Sequence, residues 1–214
     1  HSGLKYCISA AAPFPEDSQK LLESIIGAEK LLEVYGMSET SPLTVMNPSK
    51  GRKKLGTIGL PILNTDIRLV DPGSGTEVAR GEPGEICVKG PMVMKGYFNK
   101  PEETAHAIDR DGYMHTGDVA VQDEEGYLRI VDRTKDMINI SGFKVFSKRV
   151  EEILAGHPAV ELVATIGVPN PDLPGSESVK AFIVLRQGRA AADEDTVRAD
   201  IIAFAKEHLA PYEV

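Results

Sequence analysis

The chain has 214 residues, 42% hydrophobic side chains and a formal net charge of −8. That length suits one large domain or two small ones with a real core, and the acidic balance excludes nonspecific nucleic-acid binding, which needs a basic surface. No run of about 18 apolar residues offers a membrane span and no signal peptide is visible, so a cytoplasmic location is expected.

Leu4–Ser9 reads as a buried strand running into the small residues Ala10, Ala11 and Ala12. Small side chains there let the backbone approach a ligand closely, although alanine is also ordinary filler. Pro13 and Pro15 follow, and Pro15 suits a helix start. Leu21, Leu22, Ile25 and Ile26 then fall on one helical face, with Gly27 as a stop. Lys30–Val34 reads as a second strand. Strand–helix–strand is the tail of an α/β sandwich with a parallel sheet. Domains do not normally begin in their last units, so the chain reads as cut from something longer.

Tyr35-Gly36-Met37-Ser38-Glu39-Thr40 comes at the carboxyl end of that second strand, where open α/β sheets collect ligands. Tyr35 offers a flat face to a purine, Ser38 a hydroxyl to a phosphate, and Glu39 a hard oxygen to magnesium. A turn carrying an exposed acid fits the same residues. The basic loop Gly51–Gly59 lacks P-loop spacing and reads as solvated. From Thr65 to Val131, short strands alternate with turn signals at Asp71-Pro72-Gly73, Gly90-Pro91, Asp111-Gly112 and Glu125-Gly126. That pattern predicts a small barrel or curled sheet, interrupted by one helix near Pro101–Ile108. His115-Thr116-Gly117-Asp118 lies between two of these strands, and Asp118 could accept bonds from two ribose hydroxyls or simply close a turn. Cys7 and Cys87 read as reduced core residues, and the five histidines show no metal spacing.

Gly126–Val145 begins as a strand and turns polar at Asp132-Arg133-Thr134-Lys135-Asp136. Apolar residues resume at Met137, Ile138 and Ile140, and Ser141-Gly142 breaks the run. The charged break suits either a solvated turn or a junction between two packed bodies. Beyond it, Ser147 suits an N-cap, and Val150, Ile153 and Leu154 share a helix face that Gly156 ends. Val160–Val168 and Val179–Leu185 read as strands around a loop. Asp193 or Thr196 suits the cap of a last helix, with Val197, Ile201, Phe204 and Ala205 facing inward. Helix–strand–strand–helix makes a small α+β domain.

Four stretches, in order, resemble motifs of the adenylate-forming superfamily of acyl- and aryl-CoA synthetases, adenylation domains and luciferases. They are Tyr35–Thr40, Gly84–Gly90 with Gly96–Asn99, Tyr113–Asp118 and Gly126–Val145. The resemblance runs from about Leu4 to Val214. Pro42-Leu43 through Asn47-Pro48, and Ser141-Gly142-Phe143, look most like bacterial long-chain fatty acyl-CoA ligases. Ser141 stands where many relatives carry a lysine, a departure from aryl-CoA ligases and luciferases.

The resemblance implies α/β plus α+β architecture. Residues 1–131 would be the C-terminal part of a large domain, with an α/β piece at about 1–60 and a β-rich, barrel-like piece at about 61–131. Residues 132–135 would be a hinge, and 136–214 a small mobile domain. It also implies roles. Ala11 and Ala12 would lie against adenine, Tyr35 and Gly36 would form its stacking surface, and Ser38 would contact phosphate. Glu39 would hold Mg2+, Asp118 the ribose, and Arg133 the ribose and phosphates. Lys135 would be the pivot, Gly142 would border the thiol tunnel, and Lys144 would face the phosphates. The implied reaction joins a carboxylic acid, expected to be a fatty acid, to coenzyme A through an acyl-AMP made from ATP. The family's phosphate loop belongs before Leu4 and its adenylation lysine after Val214, so this chain alone is expected to be inactive. No nucleic-acid partner is expected, and any peripheral membrane contact would come through the part upstream. The alternatives are an adenylation domain loading a carrier protein and a non-catalytic nucleotide-binding module.

Overall fold

The structure, a computed structural model, describes residues 3–12, 14–186 and 194–214. The expectations placed on Pro13 and on an Asp193 cap lie outside these residues. The chain divides into two compact units, His1–Ile130 and Val131–Val214.

The first unit opens with β1 (Cys7–Ser9), α1 (Glu16–Ile26) and β2 (Leu31–Tyr35). β1 and β2 are parallel, pairing Cys7 with Leu31. β3 (Val45–Met46) and β4 (Leu60–Pro61) extend the sheet antiparallel, giving the order β1-β2-β3-β4. Among the described residues β1 is therefore an edge strand. It is shorter than the sequence predicts, and Leu4, Tyr6 and Ile8 are exposed rather than buried.

Helix α1 starts after Pro15 and stops at Gly27, whose φ of 102° suits glycine. Its apolar face is only partly covered: Leu21 and Ile25 are exposed, whereas Leu22 and Ile26 are half-buried. The buried residue is Gln19. Its Nε2 donates to the Phe14 carbonyl and to Glu33 Oε2, each at 2.6 Å, and its Oε1 accepts the Gly56 N–H at 3.1 Å. The helix docks through a polar clamp because its neighbour on β2 is a buried carboxylate. Burial pushes the Glu33 carboxyl above its ordinary value.

The second sheet contains β5 (Asp66–Val70), β6 (Gly84–Lys89), β7 (Met114–Gln122) and β8 (Leu128–Arg133), in that order. Helix α2 (Pro101–Ala107) precedes β7, with Pro101 in its first turn as expected. The sheet is open, which corrects the barrel-like expectation. Closure would need β5 to meet β8. Instead, the free side of β8 is taken by Gly59: the Leu128 N–H donates to the Gly59 carbonyl at 2.9 Å, and the Ile58 N–H to the Leu128 carbonyl at 2.8 Å. On its other side Gly59 lies hard against the end of β3, where a Cβ would sit 2.2 Å from the Asn47 nitrogen. Val45, Ile58, Leu69, Ile86, Val88, Ala120 and Leu128 form the core of this unit.

The second unit holds the hairpin β9 (Ile138–Ile140) and β10 (Phe143–Val145), then α3 (Ser147–Ala155), β11 (Val160–Pro169), β12 (Glu177–Leu185) and α4 (Glu194–His208). β11 and β12 pair antiparallel from Val160↔Leu185 to Pro169↔Glu177. Val150 and Leu154 of α3 pack with Val197, Ile201 and Ala205 of α4, on a core that includes Ile138 and Val145. Phe204 is half-buried between His157 and His208.

Two helix-start expectations change. Ser147 is the first residue of α3, not its N-cap, and Thr196 lies inside α4. The Ser147 hydroxyl reaches both oxygens of Asp132 at 3.2 Å. Asp132, placed by sequence in a charged break, is 0% exposed. A carboxylate at the start of α3 complements the helix dipole. Burial nevertheless pushes the Asp132 carboxyl above its ordinary value, against the hydrogen bonds from the Arg133 N–H and from Ser147 that favour the charged form.

This has a consequence for stability. A carboxyl with a raised folded pKa binds its proton more tightly in the native state. Its favourable contribution is complete below the unfolded pKa and is lost as pH rises through the folded value. The Asp132→Asn variant lacks that loss. Urea melts across the acidic range should show the variant gaining stability relative to the parent as pH rises through this window, then levelling off. A difference that stays flat or falls would contradict the assignment.

Candidate functional site

Because β1 and β2 run parallel, their carboxyl ends emerge on one edge of the sheet. Ala11 and Ala12 follow β1 at that edge, and both are exposed. Ala11 has φ of 72°. A non-glycine residue in the left-handed region is uncommon and tends to mark turns and functional sites.

Tyr35 ends β2, and Gly36 turns the chain where only glycine fits: a Cβ would lie 1.7 Å from the Pro42 carbonyl oxygen. A short 3-10 turn, Ser38–Thr40, then presents Ser38 to solvent and leaves Glu39 half-buried. Thr40 is the buried pin, its Oγ1 accepting the Met37 N–H at 3.1 Å. The Glu39 carboxylate accepts the Tyr97 hydroxyl at 2.9 Å, and its main-chain carbonyl accepts the Met94 N–H at 2.8 Å. Hydrogen bonding to Glu39 raises the Tyr97 phenol above its ordinary value.

Asp118 reaches the same place from the second sheet. The register of β6 and β7 pairs Glu85 with Val119 and Cys87 with His115. Two residues on β6 thus span four on β7, and Thr116-Gly117-Asp118 bulge out of the ladder. Their backbone is satisfied locally. The Gly117 N–H donates to Glu85 Oε1 at 2.9 Å, the Asp118 N–H to Thr116 Oγ1 at 3.2 Å, and Thr116 Oγ1 to the Ile86 carbonyl at 2.9 Å. The Tyr35 hydroxyl donates to Asp118 Oδ2 at 2.7 Å, joining two motifs 83 residues apart.

Sequence reasoning did not single out Glu85 or Tyr97 individually. Both lie in stretches with recognisable patterns, but their partners are 32 and 58 residues away. Behind the bulge, His115 Nδ1 is 3.0 Å from Glu85 Oε2 and 3.4 Å from Cys87 Sγ. Burial, then the charges of Glu85 and Asp109, push the Cys87 thiol up to about 12, with Arg68 opposing.

The remaining candidates belong to the second unit. Arg133 is exposed at the end of β8, and its carbonyl accepts the N–H groups of Asp136 and Met137, each at 3.1 Å. That turn carries Lys135 to the surface. Ser141 and Gly142, with φ of 51° and 93°, form the two-residue turn between β9 and β10. Glycine at position 142 answers to that dihedral, since nothing lies within 4 Å of where its Cβ would be. Lys144 sits on β10 opposite Asn139.

The first unit thus brings Tyr35, Gly36, Ser38, Glu39 and Asp118 onto connected loops. Its donor set fits a nucleotide with a hard divalent cation. Glu39 is an acceptor-only group oriented by Tyr97, and Mg2+ commonly uses one or two carboxylates together with substrate phosphates. Asp118 offers carboxylate oxygens to a diol.

The family model described as AMP-binding enzyme matches residues 1–98, and that described as AMP-binding enzyme C-terminal domain matches residues 149–214. A long-chain-fatty-acid–CoA ligase of Bacillus subtilis (strain 168) is 46% identical over 213 residues, covering 100% of this chain and 36% of the relative. A feruloyl-CoA synthase of an Amycolatopsis species is 40% identical over 216 residues, covering 100% of this chain and 41% of the relative. The crystal structure of ATP-bound MatB from Rhodopseudomonas palustris aligns with a TM-score of 0.85 at 36% identity, covering 98% of this chain and 40% of that one. The chain therefore spans well under half the length of these relatives. Among the described residues, no helix is long and apolar enough to cross a membrane.

Proposed function

Because the chain belongs to the adenylate-forming superfamily of AMP-binding enzymes, we propose that it is part of an acid–thiol ligase that activates a fatty acid as acyl-AMP and passes the acyl group to coenzyme A. The hydrogen bond from Tyr35 to Asp118 carries this reading, because it joins the proposed adenine and ribose residues. Tyr35 presents its ring to the purine, Asp118 accepts the ribose hydroxyls, and Ser38 donates to a phosphate oxygen. Glu39, oriented by Tyr97, would hold Mg2+, and an ion there would supply charge neutralisation at the phosphates. Ala11 and Ala12 border the adenine. Arg133 and Lys144 supply positive charge to the ribose and phosphates, Lys135 is the pivot of the small domain, and Gly142 borders the thiol path.

The chain spans 36% of the fatty acyl-CoA ligase it resembles, and we propose that these 214 residues alone do not adenylate. Acid-dependent ATP–pyrophosphate exchange tests both statements. It would be run on this chain and on a protein extended at both ends to the relatives' length, with acids from acetate to palmitate and with aryl acids. Exchange by the extended protein alone, strongest with long acids, supports the reading. Exchange by this chain at a rate within about tenfold of the extended protein would overturn the inactivity, since one missing charge-stabilising group should cost about 10²–10³. Exchange by neither would return the chain to a non-catalytic nucleotide-binding module. The 40% identity to a feruloyl-CoA synthase supports a second reading, an aryl acid as substrate, which the same panel separates.

A further inference from the structure

We propose that Glu85, Cys87 and His115 form a binding site for one soft or borderline divalent cation such as Zn2+, separate from the Mg2+ position at Glu39. Glu85 and Cys87 are two apart on β6, so their side chains leave the same face of the sheet. His115 is the direct cross-strand partner of Cys87 on β7. Three different donors therefore converge, with one ligand atom of each lying within 4.8 Å of the others. Nδ1 of His115 is 3.4 Å from Cys87 Sγ and 3.0 Å from Glu85 Oε2. Metal–ligand bonds of about 2.0–2.3 Å place tetrahedral donors at separations of this order, and thiolate, imidazole and carboxylate are the zinc ligand types.

The surroundings suit a bound ion. Glu85 is 8% and Cys87 2% exposed, while the His115 side chain is 33% exposed and gives the ion a way in. Asp109 Oδ2 lies 3.9 Å from His115 Nε2, beyond hydrogen-bond length, and adds negative charge beside the ring. Glu85 keeps Oε1 on the Gly117 N–H, so Oε2 can turn to a cation without releasing the bulge. The site has three protein donors, leaving a fourth position for water. Binding displaces the Cys87 proton: the thiol and M2+ give a thiolate–metal bond and one H+ released to solvent.

Co2+ titration of this chain reads the site without any enzymatic assay. One equivalent should produce a sulfur-to-cobalt charge-transfer band and visible d–d bands of tetrahedral intensity, both bleached by Zn2+. Cys87→Ser should abolish the charge-transfer band, while Cys7→Ser should retain it. Asp109→Asn should retain the band and weaken binding, since it removes a negative charge 3.9 Å from the ring. Absence of a charge-transfer band in the unmodified chain overturns the proposal whatever the variants do. So does its loss in Cys7→Ser with retention in Cys87→Ser.

Discussion

Replacing Asp118 with alanine, in a protein extended to the length of the relatives, is expected to lower kcat/KM for ATP in adenylation by at least about 10²-fold. Hydrogen bonds to a charged acceptor are worth about 1.5–3 kcal/mol each, and each 1.4 kcal/mol is a factor of about ten. A carboxylate accepting both ribose hydroxyls loses two of them at once. Tyr35→Phe removes only the hydroxyl that donates to Asp118 at 2.7 Å and keeps the ring for stacking, so its cost should be about tenfold. A charge-retaining change elsewhere on the bulge, such as Thr116→Val, should act differently. It removes the acceptor of the Asp118 N–H and loosens the loop while leaving the carboxylate in place. Steady-state kinetics with ATP varied would separate these three. An Asp118→Ala enzyme within about threefold of the parent would remove Asp118 from the ribose role, since even one such bond is worth more.

Leu128→Ala is expected to destabilise the first unit by about 2–5 kcal/mol, the range for emptying a buried leucine site. Leu128 is 0% exposed and packs with Val45, Ile58, Ile86 and Ala120. Its backbone holds the Gly59 segment at the edge of β8, so the surrounding chain is pinned and cannot readily collapse into the cavity. Leu63, 91% exposed, is the control: Leu63→Ala should change stability by no more than about 0.5 kcal/mol. Urea melts with unchanged m-values would give both numbers. Near-equal midpoints for the two variants would contradict the placement of the core.

The family and the order of its motifs were legible in the sequence, because each motif is a contiguous run whose residue types suit one task. The Tyr35–Thr40 turn, the Pro101 helix start, the Gly27 stop and the turns at Gly112 and Gly126 follow from local chemistry. Glycine and proline restrict or free the backbone wherever they sit. The inward helix faces of the second unit were legible too, since Val150, Leu154, Val197 and Ile201 repeat at helical spacing.

Tertiary structure decided what depends on partners far along the chain. Leu21, Leu22, Ile25 and Ile26 share a helical face in the sequence, yet the buried residue of α1 is Gln19, because the neighbouring strand offers Glu33. Asp132 reads as a solvated charge until α3 sets Ser147 beside it. The sheet stays open because Gly59 takes the edge of β8, a contact across 69 residues. Cys87 and His115 have no metal spacing in sequence, and only the antiparallel register of β6 and β7 makes them neighbours. Periodicity and turn chemistry act within a few residues and can be read directly. Strand register and the pairing of buried polar groups are settled only when distant segments compete for the same hydrogen bonds.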